Sequence, residues 1–225
     1  MTILVLACLL AADAAPAPAA TPAQPTPDLK SVLERMQKRY DQAKDFRARF
    51  TQDYRRAVVG RTTHSTGKLA FKKPGRMRWD YDAPEPRMFL ASGQVMWLYE
   101  PTEKQAFKQD VRTSQLPAAL AFLMGKGKLV DEFEVSFAKE AKAGRPGDFC
   151  LALSPKKPQS TYKSILFVVD PNEFLVRESV LVDAQGNTNH FTFDGLDVNG
   201  KVSDSLFKWT PPAGVRVVDT GQMGK

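Results

Sequence analysis

The sequence predicts a mainly β fold with a few helices, an α+β class in which antiparallel strands curve around a small helical layer. Three observations lead there. Apolar and polar residues alternate with period two from Thr51 to Tyr99 and again from Phe133 to Phe193. Turn-forming residues punctuate both stretches at short intervals. Only two segments carry the three- and four-residue spacing of a helix. About ten strands around two helices are too many for a simple flat sheet, so a barrel or strongly curved sheet is expected. The 225 residues are enough for a substantial core, and no internal break divides them.

The first element is not part of the fold. Met1 to Leu10 is nearly all apolar and is followed by Ala11-Ala12-Asp13-Ala14, a small-x-small cleavage signal, so residues 1–14 read as a secretory signal peptide without the usual positive start. The run is too short to span a bilayer, which takes about 20 apolar residues. Val5-Leu6-Ala7-Cys8 also resembles a lipobox loosely, which would make Cys8 an acylated anchor. The two readings predict different mature N-termini. Residues 15–27 are rich in Ala and Pro without hydrophobic period and read as a linker. The folded unit is expected over 28–219, with 220–225 a disordered tail.

Within that unit, Leu29, Val32, Leu33, Met36, Tyr40, Ala43, Phe46 and Phe50 recur at helical spacing behind the N-cap residue Asp28, predicting one amphipathic helix. Turns are expected at Val59-Gly60-Arg61, Lys73-Pro74-Gly75 and Ser92-Gly93-Gln94, with strands between them. Pro117 to Met124 predicts a second, short and greasy helix, with Pro at its first turn and Gly125 as its stop. Strands follow at Phe133–Phe137, Asp148–Leu153, Ser164–Val169, Leu175–Val182 and His190–Phe193, the last after the turn Asp183 to Asn187.

The hairpin from Gly67 to Tyr81 carries the most information. Leu69 and Phe71 share one face of its leading strand, and Met77, Trp79 and Tyr81 one face of the next, whereas Lys68, Lys72, Arg76, Arg78 and Asp80 take the other. One side is aromatic and the other is charged.

Residues that would carry catalysis are missing. His64 and His190 have no further ligand at zinc-like spacing. No nucleophile elbow, phosphate-binding glycine loop or cysteine pair is present. Asp80, Asp82 and Glu85 read as a solvated strand edge rather than the paired carboxylates of a glycosidase. Cys150, among Phe149, Leu151 and Leu153, reads as a small apolar residue. No cofactor and no metal is expected. The net charge of +7 suggests anionic membranes or acidic partners. Nucleic acid is not expected, because Lys and Arg are spread along the chain without a recognisable motif.

Three blocks in order, Phe46-Arg-Ala-Arg-Phe50-Thr-Gln52, Gly67 to Pro101 and Phe207-Lys-Trp-Thr-Pro211-Pro212-Ala-Gly214, together resemble the periplasmic outer-membrane lipoprotein carrier family, LolA-type. The resemblance implies an open, incomplete antiparallel β-barrel lidded by short helices around a hydrophobic cavity. It implies a monomeric periplasmic carrier, not an enzyme, whose cargo is triacylated lipoproteins. That cargo is taken from an inner-membrane ABC transporter and passed to an outer-membrane receptor. The acyl-binding set expected from strand faces and resemblance is Tyr40, Phe50, Leu69, Phe71, Met77, Trp79, Tyr81, Met88, Leu90, Trp97, Tyr99, Leu120, Phe122 and Leu123. Lys73 falls where well-known members carry an arginine that holds the lid helix, and is expected to be the lid contact. Alternatives of related fold are a membrane-anchored lipoprotein receptor and a lipid- or lipoprotein-sensing regulator.

Overall fold

Asp28 opens the first helix by accepting a hydrogen bond from Ser31 N at 3.0 Å, and α1 runs Leu29–Gln42 with Val32, Met36 and Tyr40 buried along one stripe. The computed structural model describes residues 27–110, 122, 127–138, 141, 143–158 and 161–220. The expected signal segment, nearly all of the expected linker, Leu120, Leu123 and residues 221–225 lie outside them. Of the expected second helix only Phe122 is described; it is helical and 2% exposed.

The first helix ends earlier than its spacing predicts. Ala43 turns extended, and Phe46, Ala48 and Phe50 alternate inward along β1 (Asp45–Arg55) instead of continuing α1. A spacing of four keeps two residues on one face in a helix and in a strand alike, so Phe46 and Phe50 fit both patterns.

Eleven further strands follow: β2 (Thr62–Lys72), β3 (Arg76–Ala83), β4 (Arg87–Ser92), β5 (Val95–Glu100), β6 (Gln105–Asp110), β7 (Phe133–Phe137), β8 (Phe149–Pro155), β9 (Ser164–Val169), β10 (Val176–Val182), β11 (Thr188–Val198) and β12 (Arg216–Asp219). A short α2 (Leu129–Glu132) precedes β7, and a 3-10 helix (Asp204–Phe207) precedes β12. β6, β12, α2 and the 3-10 helix have no counterpart among the expected elements.

All twelve strands form one sheet in the order β12-β6-β5-β4-β3-β2-β1-β11-β10-β9-β8-β7. Neighbours are antiparallel except β12 beside β6. The ends of the order, β12 and β7, are not paired, so the sheet stays open. β1 and β2 pair along their full eleven-residue length and form its spine.

Burial divides between the two faces. On the inner face of β7–β10, Phe149, Leu151, Leu153, Ile165, Phe167 and Val169 pack against Val32, Met36 and Tyr40 of α1. The inner face of β1–β4 forms a second, aromatic cluster, joined to the first through Phe193 and Leu196. A third cluster lies on the outer face, where Val202 and Phe207 cover Ala70, Met88 and Leu90. Among the described residues no helix is long and apolar enough to cross a membrane.

Candidate functional site

Register decides which side chains reach the concave wall. Residues directly opposite each other on antiparallel strands share a face. One row therefore runs Phe46–Phe71–Met77–Ala91–Met96, the next Ala48–Leu69–Trp79–Phe89–Leu98, and a third Phe50–Gly67–Tyr81–Arg87. Across β1 the wall continues onto β11, where Phe193 faces Phe50 and Phe191 faces Gln52.

Trp79 is the centre of this wall. Its ring lies 5.0 Å from Phe50, 5.3 Å from Phe191, 6.1 Å from Phe71 and 6.3 Å from Phe193, in tilted or edge-on arrangements. Such pairs add to plain area burial. Phe46 stacks on Phe71 at 4.5 Å, and Tyr81 meets Phe50 at 4.9 Å. Gly67 makes the crowding feasible: a Cβ there would stand 2.6 Å from Phe50 Cζ and 2.2 Å from the Asp80 carbonyl oxygen. At the end of the third row the Arg87 guanidinium lies 4.3 Å from the centre of the Tyr81 ring. Burial pushes the Tyr81 phenol up, with Arg87 opposing.

Tyr40 closes the wall from above. It shares with Phe46, Leu69, Phe71, Trp79, Val176, Phe193 and Leu196 a slot of about 20 Å³, room for roughly one water. The Tyr40 ring packs 4.8 Å from Phe122, and its hydroxyl accepts a hydrogen bond from Val176 N at 3.1 Å. Complete burial pushes this phenol up, so it is neutral.

Its backbone is held as well. Lys73 Nζ donates to Tyr40 O at 2.7 Å and to Asp41 O at 3.0 Å. The last carbonyls of a helix have no partner within it and carry partial negative charge, so an ammonium suits them. Lys73 N donates to Lys44 O at 2.8 Å, which ties the β2–β3 turn to the chain leaving α1.

Four residues expected on this wall lie on the opposite side of the sheet. Met88 and Leu90 pair with Asp80 and Arg78 on β3 and with Tyr99 and Trp97 on β5, so all four side chains leave from the outer face. They pack beneath Val202, Phe207 and Trp209, with Trp97 and Tyr99 at 5.3 and 5.1 Å from the Trp209 ring. Basic residues of the same face fasten this cover: Lys72 and Arg76 pair with Asp204, and Arg78 Nη1 donates to Leu206 O at 2.9 Å. β4 is apolar on both faces, and alternation alone does not choose between them. The residues missed for the inner wall are Phe46, Phe89, Met96, Phe191, Phe193 and Leu196. Their signal is the parity of β1 and β11, for Phe46, Phe191, Phe193 and Leu196, and of β4 and β5, for Phe89 and Met96, with the Gly67–Tyr81 hairpin, which requires the register.

Other reactive groups stand away from the wall. His64 pairs with Asp53 at 2.7 Å, and His190 with Glu178 at 2.8 Å. Cys150 is half-buried, its Sγ 3.5 Å from Ala143 O, and burial pushes its thiol up. Among the described residues no three His, Cys, Asp or Glu side chains are grouped to hold a metal ion.

Comparison with known proteins places these features in a family. The family described as "Outer membrane lipoprotein carrier protein LolA" matches residues 41–210. An outer-membrane lipoprotein carrier protein of Pseudomonas entomophila is 31% identical over 194 residues, spanning 85% of this chain and 89% of that one. A protein of the same description from Chromobacterium violaceum is 29% identical over 171 residues, 74% of this chain and 79% of the other. Among solved structures, an uncharacterized conserved protein from Thermus thermophilus shares the fold with a TM-score of 0.54 at 11% identity, over 84% of this chain and 98% of that one.

Proposed function

The chain belongs to the outer membrane lipoprotein carrier family, and on that premise we propose that it carries lipoproteins by holding their acyl chains against the Trp79-centred wall beneath Tyr40. The observation that supports this reading most is the wall itself, which contributes four aromatic rings, Phe46, Phe71, Trp79 and Phe193, to one apolar slot that Tyr40 covers. Each methylene moved from water onto such a surface contributes about 0.8 kcal/mol, so acyl chains supply the affinity and no bond need be broken.

The slot of about 20 Å³ is too small for an acyl chain. Loading therefore requires Tyr40 to move off the wall, which costs the two Lys73 hydrogen bonds, the Val176 hydrogen bond and the ring packing on Phe122. Cargo binding offsets that cost, and the closed form recovers it on release. A carrier needs this balance: affinity high enough to extract cargo, yet low enough to surrender it.

In the finer reading the cargo is triacylated, the donor is an inner-membrane ABC transporter and the acceptor is an outer-membrane receptor. The chain acts as a periplasmic monomer exported by residues 1–14, with 28–219 as one functional unit and no catalytic step. Purification of the mature protein from an envelope extract, with mass spectrometry of its N-terminus and of whatever it retains, tests this. Acylated lipoproteins on a chain starting beyond Ala12 are expected. A diacylglyceryl group on Cys8 would make the chain an anchored receptor, and an empty protein would remove the carrier reading.

A further inference from the structure

We propose that the tip of the β1–β2 hairpin is a docking point for an anionic phospholipid bilayer surface, a function beyond the holding of acyl chains. Val58 is 90% and Val59 64% exposed, the two most exposed large apolar side chains among the described residues. They are adjacent in sequence, in the connection between β1 and β2. β2 runs four residues past its last pairing with β3, Thr66 opposite Ala83, so this hairpin projects beyond the neighbouring β3–β4 turn.

The tip is braced. Arg56 N donates to Arg61 O at 2.8 Å and closes the loop, and Ala57 N donates at 2.9 Å to Asn187 Oδ1 in the turn between β10 and β11. Asn187 is itself held by Asp183. Gly60, at φ +64°, supplies the left-handed backbone that the turn needs. Two valines held in water on a fixed loop bury nothing within the fold, so their contribution lies with another surface.

Charge selects that surface. Arg55, Arg56 and Arg61 are exposed around the valines, and residues 54–63 contain no acid. Of the acids at this end, Asp53 is paired with His64 and Asp183 is tied to the Asn187 side chain and the backbone N–H groups of Gln185 and Asn187. Asp82, within β3, and Glu85, in the shorter β3–β4 turn, are set back. An apolar point ringed by arginines matches the layering of an anionic bilayer, with apolar side chains below the headgroups and guanidinium groups at the phosphates.

Co-sedimentation of the cargo-free protein with vesicles tests this apart from the acyl-binding reading, which would survive its failure. The mature protein, without its apolar leader, is expected to bind vesicles of phosphatidylethanolamine and phosphatidylglycerol, to bind phosphatidylcholine vesicles far less, and to weaken as salt rises. The pair Val58→Asp/Val59→Asp and the pair Arg56→Glu/Arg61→Glu should each lower binding roughly tenfold or more, whereas Val58→Trp should raise it. Circular dichroism should be unchanged, since these side chains make no core contacts. Wild-type protein that ignores anionic vesicles, or tip variants that bind them undiminished, would overturn the proposal. So would tip variants that bind vesicles normally yet fail to pass cargo to an acidic protein acceptor, because the tip would then serve a protein.

Discussion

Lys73 Nζ and the Tyr40 carbonyl are 2.7 Å apart, and the same ammonium reaches Asp41 O at 3.0 Å. One side chain from the β2–β3 turn thus caps the helix that carries the ring closing the apolar slot. Replacing it with leucine removes two charge-assisted bonds, worth about 1.5–3 kcal/mol, and leaves helix-end carbonyls without their cation. Lys73→Leu should keep its fold but exchange the backbone amides of the last turn of α1 faster and pass cargo on less effectively. Lys73→Arg, with a planar fork of donors, should hold the turn more firmly. Hydrogen exchange with mass spectrometry, alongside a transfer assay, reads both variants.

The hydroxyl of Tyr40 accepts from Val176 N inside the core. Tyr40→Phe leaves that buried N–H without its acceptor and should cost about 1–3 kcal/mol in urea unfolding. That bond is part of the cost of moving the ring off the slot, so cargo binding at temperatures where the variant is folded should be tighter than wild type.

Gly67 lies beneath the Phe50 ring, and a methyl group there would also strike the Asp80 carbonyl oxygen. Gly67→Ala should destabilise by about 1–3 kcal/mol or more, since backbone must move to admit it. Differential scanning calorimetry measures this directly.

Asp170 is buried, which by itself would raise its pKa; backbone N–H groups of Glu173 and Asn172, with Arg177 beside it, outweigh that and hold the carboxyl below its ordinary value. A carboxyl depressed in the folded state adds stability above its unfolded value, about 3.9, and loses it as pH falls through the folded value. Asp170→Asn should therefore flatten the acid limb of the stability curve below about pH 4, and lower stability at neutral pH. Urea midpoints measured across pH test the sign.

The two faces of the sheet make a further distinction. Trp79 is at the centre of the inner wall, whereas Trp97 packs on Trp209 outside. Trp97→Ala should cost about 2–4 kcal/mol, toward the lower side of a fully buried Trp→Ala change, yet leave cargo binding by the folded fraction intact.

Much of this arrangement is legible in the residues. The Gly67–Tyr81 hairpin separates its aromatic and charged sides by alternation alone, and the structure keeps both sets together. Its charged side has a purpose that alternation does not reveal: Lys72, Arg76 and Arg78 fasten a C-terminal segment more than 120 residues away. The helix boundary fails at Phe46 because a four-residue step satisfies both periods. Met88, Leu90, Trp97 and Tyr99 lie on the outer face, against expectation, because β4 and β5 have apolar residues at successive positions. Only pairing with β3 fixes which of them turn inward. Phe191 and Phe193 join the wall through a long-range pairing of β11 with β1, which no local pattern encodes.

The most direct measurement is native mass spectrometry of the purified protein with a synthetic triacylated lipopeptide, comparing wild type with Trp79→Glu. An unpaired carboxylate on an apolar wall is costly enough to remove binding without touching the outer core. A one-to-one complex with wild type, lost in Trp79→Glu while Trp97→Ala retains it, is the predicted result. A folded Trp79→Glu protein that binds the lipopeptide as well as wild type would contradict the account.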